Sequence, residues 1–149
     1  MERKIILITG IDGFAASHLA KYLVNEGHEV HGTIRIISDR FKLKDIADKI
    51  NTHLIELTDS FSVDKVVQEV KPDEIYHLAA QSYVKASWDS PLETYSTNVL
   101  GTVNLFEACR KLEKQPAILV TSTSEIYGAK DGSMNEDTRP EPNTHYGIS

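Results

Sequence analysis

Residues 4–16 read KIILITGIDGFAA, and this stretch decides the fold. The run Lys4–Thr9 is rich in β-branched residues and leucine, which is typical of a strand buried on both faces of a parallel sheet. Gly10 and Gly13 follow at once, and an amphipathic segment begins at Phe14. A strand, a glycine-rich turn and a helix in this order predict a nucleotide site, in which backbone N–H groups and the helix dipole hold a pyrophosphate.

The third small position of the turn is Ala16 rather than glycine. That position only has to let the helix pack closely on the sheet, so alanine is sufficient there. A glycine-rich turn by itself is also compatible with a plain tight turn that binds nothing. The strand before it and the helix after it favour the nucleotide site.

The remaining sequence alternates between predicted strands and helices. The other strands are predicted at Glu29–Ile34, His53–Leu57, Glu74–Ala79 and Ala117–Ser122. Helices are predicted at Phe14–Glu26, where Gly27 ends the helix, at Leu43–Ile50 and at Pro91–Lys111. A further helix is predicted after Asp59 or Ser60, either of which can cap it. Its apolar stripe consists of Val63, Val66, Val67 and Val70. Ser90 and Glu93 are expected to form a capping box at the start of the last helix, and Gly128–Thr144 to be a surface loop.

This alternation predicts an α/β fold. Parallel strands joined by right-handed crossovers give a doubly wound sheet, the Rossmann fold, in the order 3-2-1-4-5. The ligand crevice is then expected at the carboxyl ends of strands one and four, where the strand order reverses. No linker divides the chain, so residues 1–149 are interpreted as a single domain.

Composition excludes several classes of protein. Of the 149 residues, 40% are hydrophobic and 26% charged, which is ordinary for a globular chain with a core. The net charge of −6 and the scattered basic residues argue against a nucleic-acid partner. No apolar run approaches the roughly 20 residues that span a bilayer. A single cysteine, Cys109, rules out an internal disulfide and suits a reducing compartment, so a cytoplasmic location is predicted.

The end of the second strand bears on the choice of cofactor. An acidic residue there would bond the ribose 2′-hydroxyl of NAD. The sequence instead reads HGTIR over residues 31–35, with no acid and one arginine, Arg35. A guanidinium can bind a 2′-phosphate through two parallel hydrogen bonds, so NADP is predicted in preference to NAD. The alternative is that Arg35 is a solvated loop residue.

Reactive side chains follow the fifth strand. Thr123, Ser124 and Glu125 place hydroxyls and a carboxylate at the predicted crevice, and Tyr146 lies close to the last residue, Ser149. A tyrosine acts as an acid or base on a sugar hydroxyl only when its pKa falls below about 10, usually beside a cation. Each residue alone could be structural, but the group at one strand end indicates catalysis.

The whole chain resembles the extended short-chain dehydrogenase/reductases, the NAD-dependent epimerase/dehydratase family, and within it the GDP-mannose 4,6-dehydratases. The resemblance is carried by residues 9–19, 56–60, 76–82, 87–91, 98–102 and 122–128. Tyr146 matches the tyrosine of the family's Tyr-x-x-x-Lys motif, and the sequence ends at Ser149, where the lysine should follow. The resemblance therefore covers only the N-terminal portion of the family's usual length.

The resemblance implies roles for the matching residues. Thr123 and Tyr146 would hold and deprotonate the sugar 4-hydroxyl, and Glu125 would remove the C5 proton. Ser124 marks the subtype that acts on GDP-mannose. The implied cofactor contacts are Gly10, Asp12, Gly13, Phe14, Arg35, Glu56, Leu57, Leu78, Ala79 and Ala80, and the implied substrate contacts are Gln81 and Ser82.

Several alternatives stay open at this level. The Thr-Ser-Glu triplet also occurs in UDP-glucuronate decarboxylases, and an epimerase of the same family or a non-catalytic nucleotide-binding module would share the fold. An end inside a motif favours a piece of a longer enzyme, so cofactor binding without turnover is expected.

Relatives often pair through long helices such as Pro91–Lys111, which implies a homodimer or homotetramer. No metal is expected, Trp88 either covers the nicotinamide or anchors its loop, and Asn98 is expected to tie a helix to the active-site backbone.

Overall fold

The sheet has the predicted topology. The computed structural model describes residues 2–35 and 41–149. Its five strands are parallel and lie in the order β3-β2-β1-β4-β5. They span Ile5–Thr9 (β1), Glu29–Ile34 (β2), Ile50–Leu54 (β3), Glu74–His77 (β4) and Ala117–Val120 (β5). The prediction of a doubly wound sheet is confirmed.

Helices cover both faces of this sheet. They span Phe14–Asn25 (α1), Ser60–Val70 (α2), Val84–Asp89 (α3), Pro91–Tyr95 (α4), Gly101–Arg110 (α5) and His145–Ile148 (α6). A π-helical segment, Ser96–Leu100, joins α4 to α5, and 3-10 helices span Phe41–Ile46 and Ser124–Tyr127. In the described chain no helix is long and apolar enough to cross a membrane.

Two hydrophobic clusters, one on each face of the sheet, make up the core. Ile6 and Ile8 of β1 pack with Ala16 and Ala20 of α1 on one face. Leu7 points the other way and packs with α2 and α5, including the predicted valine stripe of α2. Since side chains alternate along a strand, an unbroken apolar run fills both clusters. This is why residues 4–9 were recognisable as a central strand.

Four predicted segments need correction. The predicted helix Leu43–Ile50 is a 3-10 helix that ends at Ile46, and β3 spans Ile50–Leu54 rather than His53–Leu57. β3 is an edge strand with a half-exposed pattern, so its pairing with β2, and not an apolar run, sets where it begins. β4 and β5 each end two residues earlier than predicted. Beyond β4, the Leu78 and Ala79 N–H groups donate to Thr9 Oγ1 instead of to a neighbouring strand.

The predicted capping box at Ser90 is wrong. Within the described chain the Ser90 hydroxyl makes no capping bond. The Ser90 N–H donates to Ala86 O (2.8 Å), which closes α3, while its carbonyl accepts from the N–H of Thr94 (3.2 Å). Ser90 therefore ends one helix and begins the next, and this double role fixes its backbone at φ −138° and ψ 69°. The helix α3 was not predicted, and neither were the π-helical segment and α6.

Candidate functional site

A cavity of about 820 Å³ opens at the carboxyl ends of β1 and β4, where the crevice was predicted. Of the predicted site residues, those that line it are Gly10, Asp12, Gly13, Phe14, Arg35, Glu56, Leu57, Leu78, Ala79, Ala80, Gln81, Ser82, Thr123 and Tyr146. Ser124 and Glu125 lie on the adjacent 3-10 helix without lining the cavity. The fold thus brings residues from six separate segments of the sequence into one site.

The turn after β1 is held close to the strand end of β4. Gly10 has φ +67°, and a Cβ built on it would lie 3.0 Å from Ala79 Cα. The Gly10 N–H donates to Thr33 Oγ1 (3.1 Å), and the Gly13 N–H donates to Gly10 O (2.9 Å). The first N–H groups of α1 have no partner within a helix, so together with the helix dipole they form an anion site at the cavity. A pyrophosphate fits this backbone cradle.

Two basic side chains lie near the end of β2, and one of them, Arg35, lines the cavity. Arg35 follows β2 directly, is exposed and lines the cavity. Lys42, from the 3-10 helix after β2, donates to the Asp12 carbonyl (3.3 Å) and so reaches over the glycine-rich turn. Lys42 could not be identified from the sequence, because nothing in the local pattern links residue 42 to residue 12.

The segment after β3 is held by α5. Asn104 Nδ2 donates to the Leu57 carbonyl (2.8 Å), and a Cβ on Gly101 would lie 2.8 Å from Leu57 Cβ. Gly101 therefore lets Leu57 approach the helix closely. Both contacts position Glu56 and Leu57 at the cavity wall, as expected for the cofactor contacts that the resemblance implies.

A buried polar chain runs beneath the cavity. His77 at the end of β4 is 4% exposed, and its Nδ1 lies 2.7 Å from Thr9 Oγ1 while its Nε2 lies 3.0 Å from Thr102 Oγ1. The Thr102 hydroxyl donates to the Asn98 carbonyl, so it accepts from His77 Nε2–H. His77 Nδ1 then accepts the Thr9 hydroxyl proton. Each group in this chain is satisfied only if the imidazole is neutral.

The protonation of His77 agrees with that pattern. Burial lowers the pKa of His77 from 6.5 to about 4. A protonated ring would present two donors, and the Thr9 oxygen already accepts from the Leu78 and Ala79 N–H groups. Protonation would therefore remove His77 Nδ1 as the acceptor of the Thr9 hydroxyl proton and leave two donors facing each other in a buried network.

Asn98 joins the rim of the cavity to the last residues of the chain. Its Oδ1 accepts from the Gln81 N–H (2.8 Å), and its Nδ2 donates to the Gln81 carbonyl (3.1 Å) and to Ser149 Oγ (2.9 Å). Asn98 lies in the π-helical segment, a local change of helical phase that is often found at functional sites. The predicted supporting role of Asn98 is confirmed.

Gln81 lines the cavity, but its side-chain amide forms hydrogen bonds to other residues of the rim. Oε1 accepts from the Tyr83 N–H (2.6 Å), and Nε2 donates to the Tyr83 carbonyl (3.2 Å) and to Thr94 Oγ1 (3.3 Å). The side chain therefore shapes the rim in this structure. Its backbone, held by Asn98, is equally fixed.

The catalytic residues predicted from the sequence lie on two packed segments. Thr123 Oγ1 accepts from the Glu125 N–H (3.2 Å) at the start of the 3-10 helix, which leaves the hydroxyl proton of Thr123 for another acceptor. A Cβ on Gly147 would lie 2.7 Å from the Glu125 carbonyl, so α6 rests directly against that helix. Tyr146 precedes Gly147 and lines the cavity beside Thr123.

Trp88 contacts α6 instead of lining the cavity. Its ring packs edge-on against His145, with centroids 4.9 Å apart. This contact ties α3, which carries Trp88, to α6. The signal was present in the sequence only as an aromatic residue beside a serine-proline turn, which does not specify its partner.

Outside the cavity, other polar clusters have structural explanations. His31 Nδ1 and His53 Nε2 lie 2.9 Å apart and share a hydrogen bond, and His31 also contacts Glu29. No group of three or more potential metal ligands occurs among the described residues. Cys109 is 2% exposed, and burial raises the pKa of its thiol to about 11, so it packs in the core as a small hydrophobic residue.

Comparison with known proteins gives one consistent group of relatives. A family model described as "GDP-mannose 4,6 dehydratase" matches residues 7–149. The GDP-mannose 4,6-dehydratase of Vibrio cholerae is 38% identical over 99% of this chain and 43% of its own length. The GDP-mannose 4,6 dehydratase of Dictyostelium discoideum is 36% identical over 99% of this chain and 46% of its own length. The chain thus spans less than half the length of these relatives.

Solved structures agree on the fold. UDP-glucose 4-epimerase from Thermotoga maritima, solved with UDP-glucose, has a TM-score of 0.85 at 27% identity, covering 96% of this chain and 46% of the epimerase. UDP-glucose 4-epimerase from Thermus thermophilus, solved with NAD, has a TM-score of 0.85 at 29% identity with the same coverage.

Proposed function

The chain belongs to the GDP-mannose 4,6-dehydratase family, and on that premise we propose that its cavity binds NADP and serves a nucleotide-sugar 4,6-dehydratase. One observation carries the proposal. The glycine-rich anion cradle and the pair Thr123 and Tyr146 line the same cavity. A cofactor held by the cradle and a sugar held by the hydroxyl pair would therefore share one enclosed space.

The preference for NADP rests on charge at the ribose end. Arg35 lines the cavity, Lys42 donates to the Asp12 carbonyl nearby, and β2 ends without an acid. These cations favour a 2′-phosphate, whereas a site for a ribose 2′-hydroxyl would have a carboxylate to accept its hydrogen bond. Some of the epimerases with the same fold were solved with NAD, so the cofactor choice is the part of the proposal specific to this chain.

Each side chain then has a distinct task. Gly10, Gly13 and Arg35 would hold the NADP, which when bound would supply hydride transfer from C4 of the sugar and back to C6. Thr123 holds the 4-hydroxyl through its free hydroxyl proton, and Tyr146 takes the proton from that 4-hydroxyl. Glu125 removes the C5 proton, which the neighbouring ketone makes acidic, as water leaves from C6. We assign Gln81 and Ser82 to the sugar side of the rim and Ser124 to the selection of GDP-mannose.

Three further parts belong to the proposal. Since the chain spans less than half the length of its relatives, cofactor binding is assigned to these 149 residues and dehydration to the whole enzyme. A homodimer or homotetramer would pair α4 and α5, where apolar side chains are exposed at Leu92 (81%), Val103 (47%) and Phe106 (43%). A cytoplasmic location would keep the Cys109 thiol reduced.

The proposal is tested by replacing Glu125 with glutamine in the natural gene product that contains these residues. The variant keeps the shape and loses the proton acceptor, so turnover of GDP-mannose should fall by about 10²–10⁴-fold. Reduced cofactor should still form in a single turnover, with little exchange of the C5 hydrogen in heavy water and little 6-deoxy product.

Glu136→Gln, in the exposed loop after the 3-10 helix, is the matched control and should keep normal turnover. Near-normal turnover in Glu125→Gln would overturn the dehydratase assignment. Turnover of UDP-glucuronate instead of GDP-mannose by the unaltered enzyme would favour the decarboxylase, since that family member shares the Thr-Ser-Glu triplet.

A further inference from the structure

Two aromatic rings from separate helices enclose the first side chain of α6. The Trp88 ring, from α3, lies 4.9 Å from the His145 ring at an interplanar angle of 69°. The Tyr95 ring, from α4, lies 5.8 Å from it at 88°, and the Tyr95 hydroxyl hydrogen-bonds His145 Nδ1 at 3.1 Å. Both contacts are edge-to-face, which is a favoured arrangement for aromatic pairs. We call Trp88, Tyr95 and His145 the histidine niche.

The helix α6, which begins in this niche, is too short to be stable without tertiary contacts. It has four residues, and isolated helices of this length are not stable in water. Its N-terminus is capped by Thr144, whose Oγ1 accepts from the Gly147 N–H (2.9 Å). At its other end Ser149 Oγ donates to the Tyr146 carbonyl (2.9 Å) and accepts from Asn98 Nδ2 (2.9 Å). Tertiary contacts at both ends therefore determine where α6 lies.

Tyr146 sits between these two attachments. It follows His145 directly and lines the cavity, whereas the side chain of His145 is turned into the niche. Fixing His145 fixes the start of the helix, and the helix in turn fixes the direction of the next side chain. The histidine niche therefore affects the cavity by setting the position of Tyr146, the residue next to His145 in the chain.

We propose that the histidine niche is a positioning device for Tyr146 that aims its phenol at the reacting hydroxyl. His145, Trp88 and Tyr95 are positioning residues in this account and take no part in proton transfer. The role of Tyr146 rests on the proposed function, but the ordering of α6 by the niche does not. A reacting group displaced by about 1 Å can lose about 100-fold in rate, so a short helix that carries one needs such an anchor.

The first test measures order in α6 on the 149-residue chain without cofactor. Tyr95→Phe keeps the ring and removes the hydroxyl, and Trp88→Ala removes one wall of the niche. Amide exchange at Ile148 and Ser149, whose N–H groups donate to Thr144 O and His145 O, should become at least about tenfold faster in both variants. The matched control Tyr83→Phe changes a residue that is 68% exposed at the start of α3 and should leave both rates unchanged.

The second test measures Tyr146 itself with NADP bound. In a chain carrying ¹³C-labelled tyrosine, the Tyr146 ring resonance should shift on addition of saturating NADP and should stay broad or unshifted in Tyr95→Phe. The affinity for NADP should change by less than about twofold, because the cofactor contacts lie elsewhere. In the natural gene product, kcat for GDP-mannose should fall by about tenfold with KM unchanged.

The outcomes separate the two proposals. Unchanged exchange rates in both variants would overturn the niche as an anchor, whether or not NADP binds. Faster exchange with a kcat that stays normal would overturn its role in aiming Tyr146. If wild-type chain fails to bind NADP, the proposed function fails, and accelerated exchange in Tyr95→Phe would still support the ordering of α6 by the niche.

Discussion

The two walls of the cavity are built in different ways. The cofactor wall consists of the turn after β1 and the residues that follow β2 and β4, and it rests on the core, where Ile8 and Ile11 are fully buried and Thr33 is 3% exposed. The catalytic wall consists of residues 121–127 and α6. It follows β5, whose Leu119 and Val120 are 52% and 45% exposed.

Both walls use contacts between distant segments, but the cofactor wall also contains a turn that closes within one short segment. The turn of the cofactor wall is closed by the bond from the Gly13 N–H to Gly10 O, three residues away. The catalytic wall depends on Tyr95 with His145 and on Asn98 with Ser149, pairs that are 50 and 51 residues apart. A local change should therefore damage cofactor binding, whereas loss of a distant contact should loosen the catalytic wall and spare the cofactor.

His77 contacts both walls, because its ring bonds Thr9 at the end of β1 and its carbonyl accepts from the Thr121 N–H (3.2 Å) and hydroxyl (3.1 Å). Its protonation should therefore have the largest effect. Burial lowers its pKa from 6.5 to about 4, which means that the folded state favours the neutral ring. The neutral ring stabilises the folded state fully above about pH 6.5, and this stabilisation is lost as the pH falls toward about 4. The free energy of unfolding should therefore decrease by about 3 kcal/mol over that range. Urea unfolding between about pH 8 and about pH 4 checks this loss.

The comparison variant is His77→Gln, which does not titrate in this range. The advantage of wild type over the variant should shrink as the pH falls, because only wild type loses the contribution of the neutral ring. His18→Gln, at an exposed position of α1, should follow wild type at every pH. A constant difference between wild type and His77→Gln would show that His77 does not couple the walls through its neutral form.

A change confined to the cofactor wall should have the next largest effect. Gly10→Ala adds a Cβ 3.0 Å from Ala79 Cα at φ +67°, which disturbs the anion cradle. We expect the affinity for NADP to fall by about 100-fold, a cost typical of strain combined with a backbone clash. Gly27→Ala is the matched control, since Gly27 has φ +86° with open space around it. Its affinity should stay normal in the same titration, and equal losses in the two variants would refute the cradle.

The cofactor wall was largely predictable from the sequence. Residues 4–9 fill both hydrophobic clusters, and Gly10 and Gly13 follow them directly, so the strand, the turn and the start of α1 were all placed correctly. Local patterns suffice here because the strand, the turn and the helix follow one another without a break in the sequence, even though Thr33 and Ala79 also hold the turn in place. Lys42 was missed for the complementary reason, since it contacts Asp12 across 30 residues and lies just before the start of the predicted helix Leu43–Ile50.

The catalytic wall was predicted only as a list of residues. Thr123, Glu125 and Tyr146 were named, but the segments that orient them were not. α6 is too short to show periodicity, and Trp88, Tyr95 and His145 belong to three helices that meet only in the folded chain. The failed capping box at Ser90 has the same origin, because the end of α3 determines the backbone there.

The most direct test of the account is a calorimetric titration of the chain with NADP and with NAD. The proposed contact between Arg35 and a 2′-phosphate predicts that NADP binds about tenfold more tightly than NAD, a difference of about 1.4 kcal/mol. Arg35→Ala should abolish that preference, while Arg139→Ala, in a distant exposed loop, should keep it. Equal or tighter binding of NAD, or a preference for NADP that survives Arg35→Ala, would contradict the assignment of this cavity to NADP.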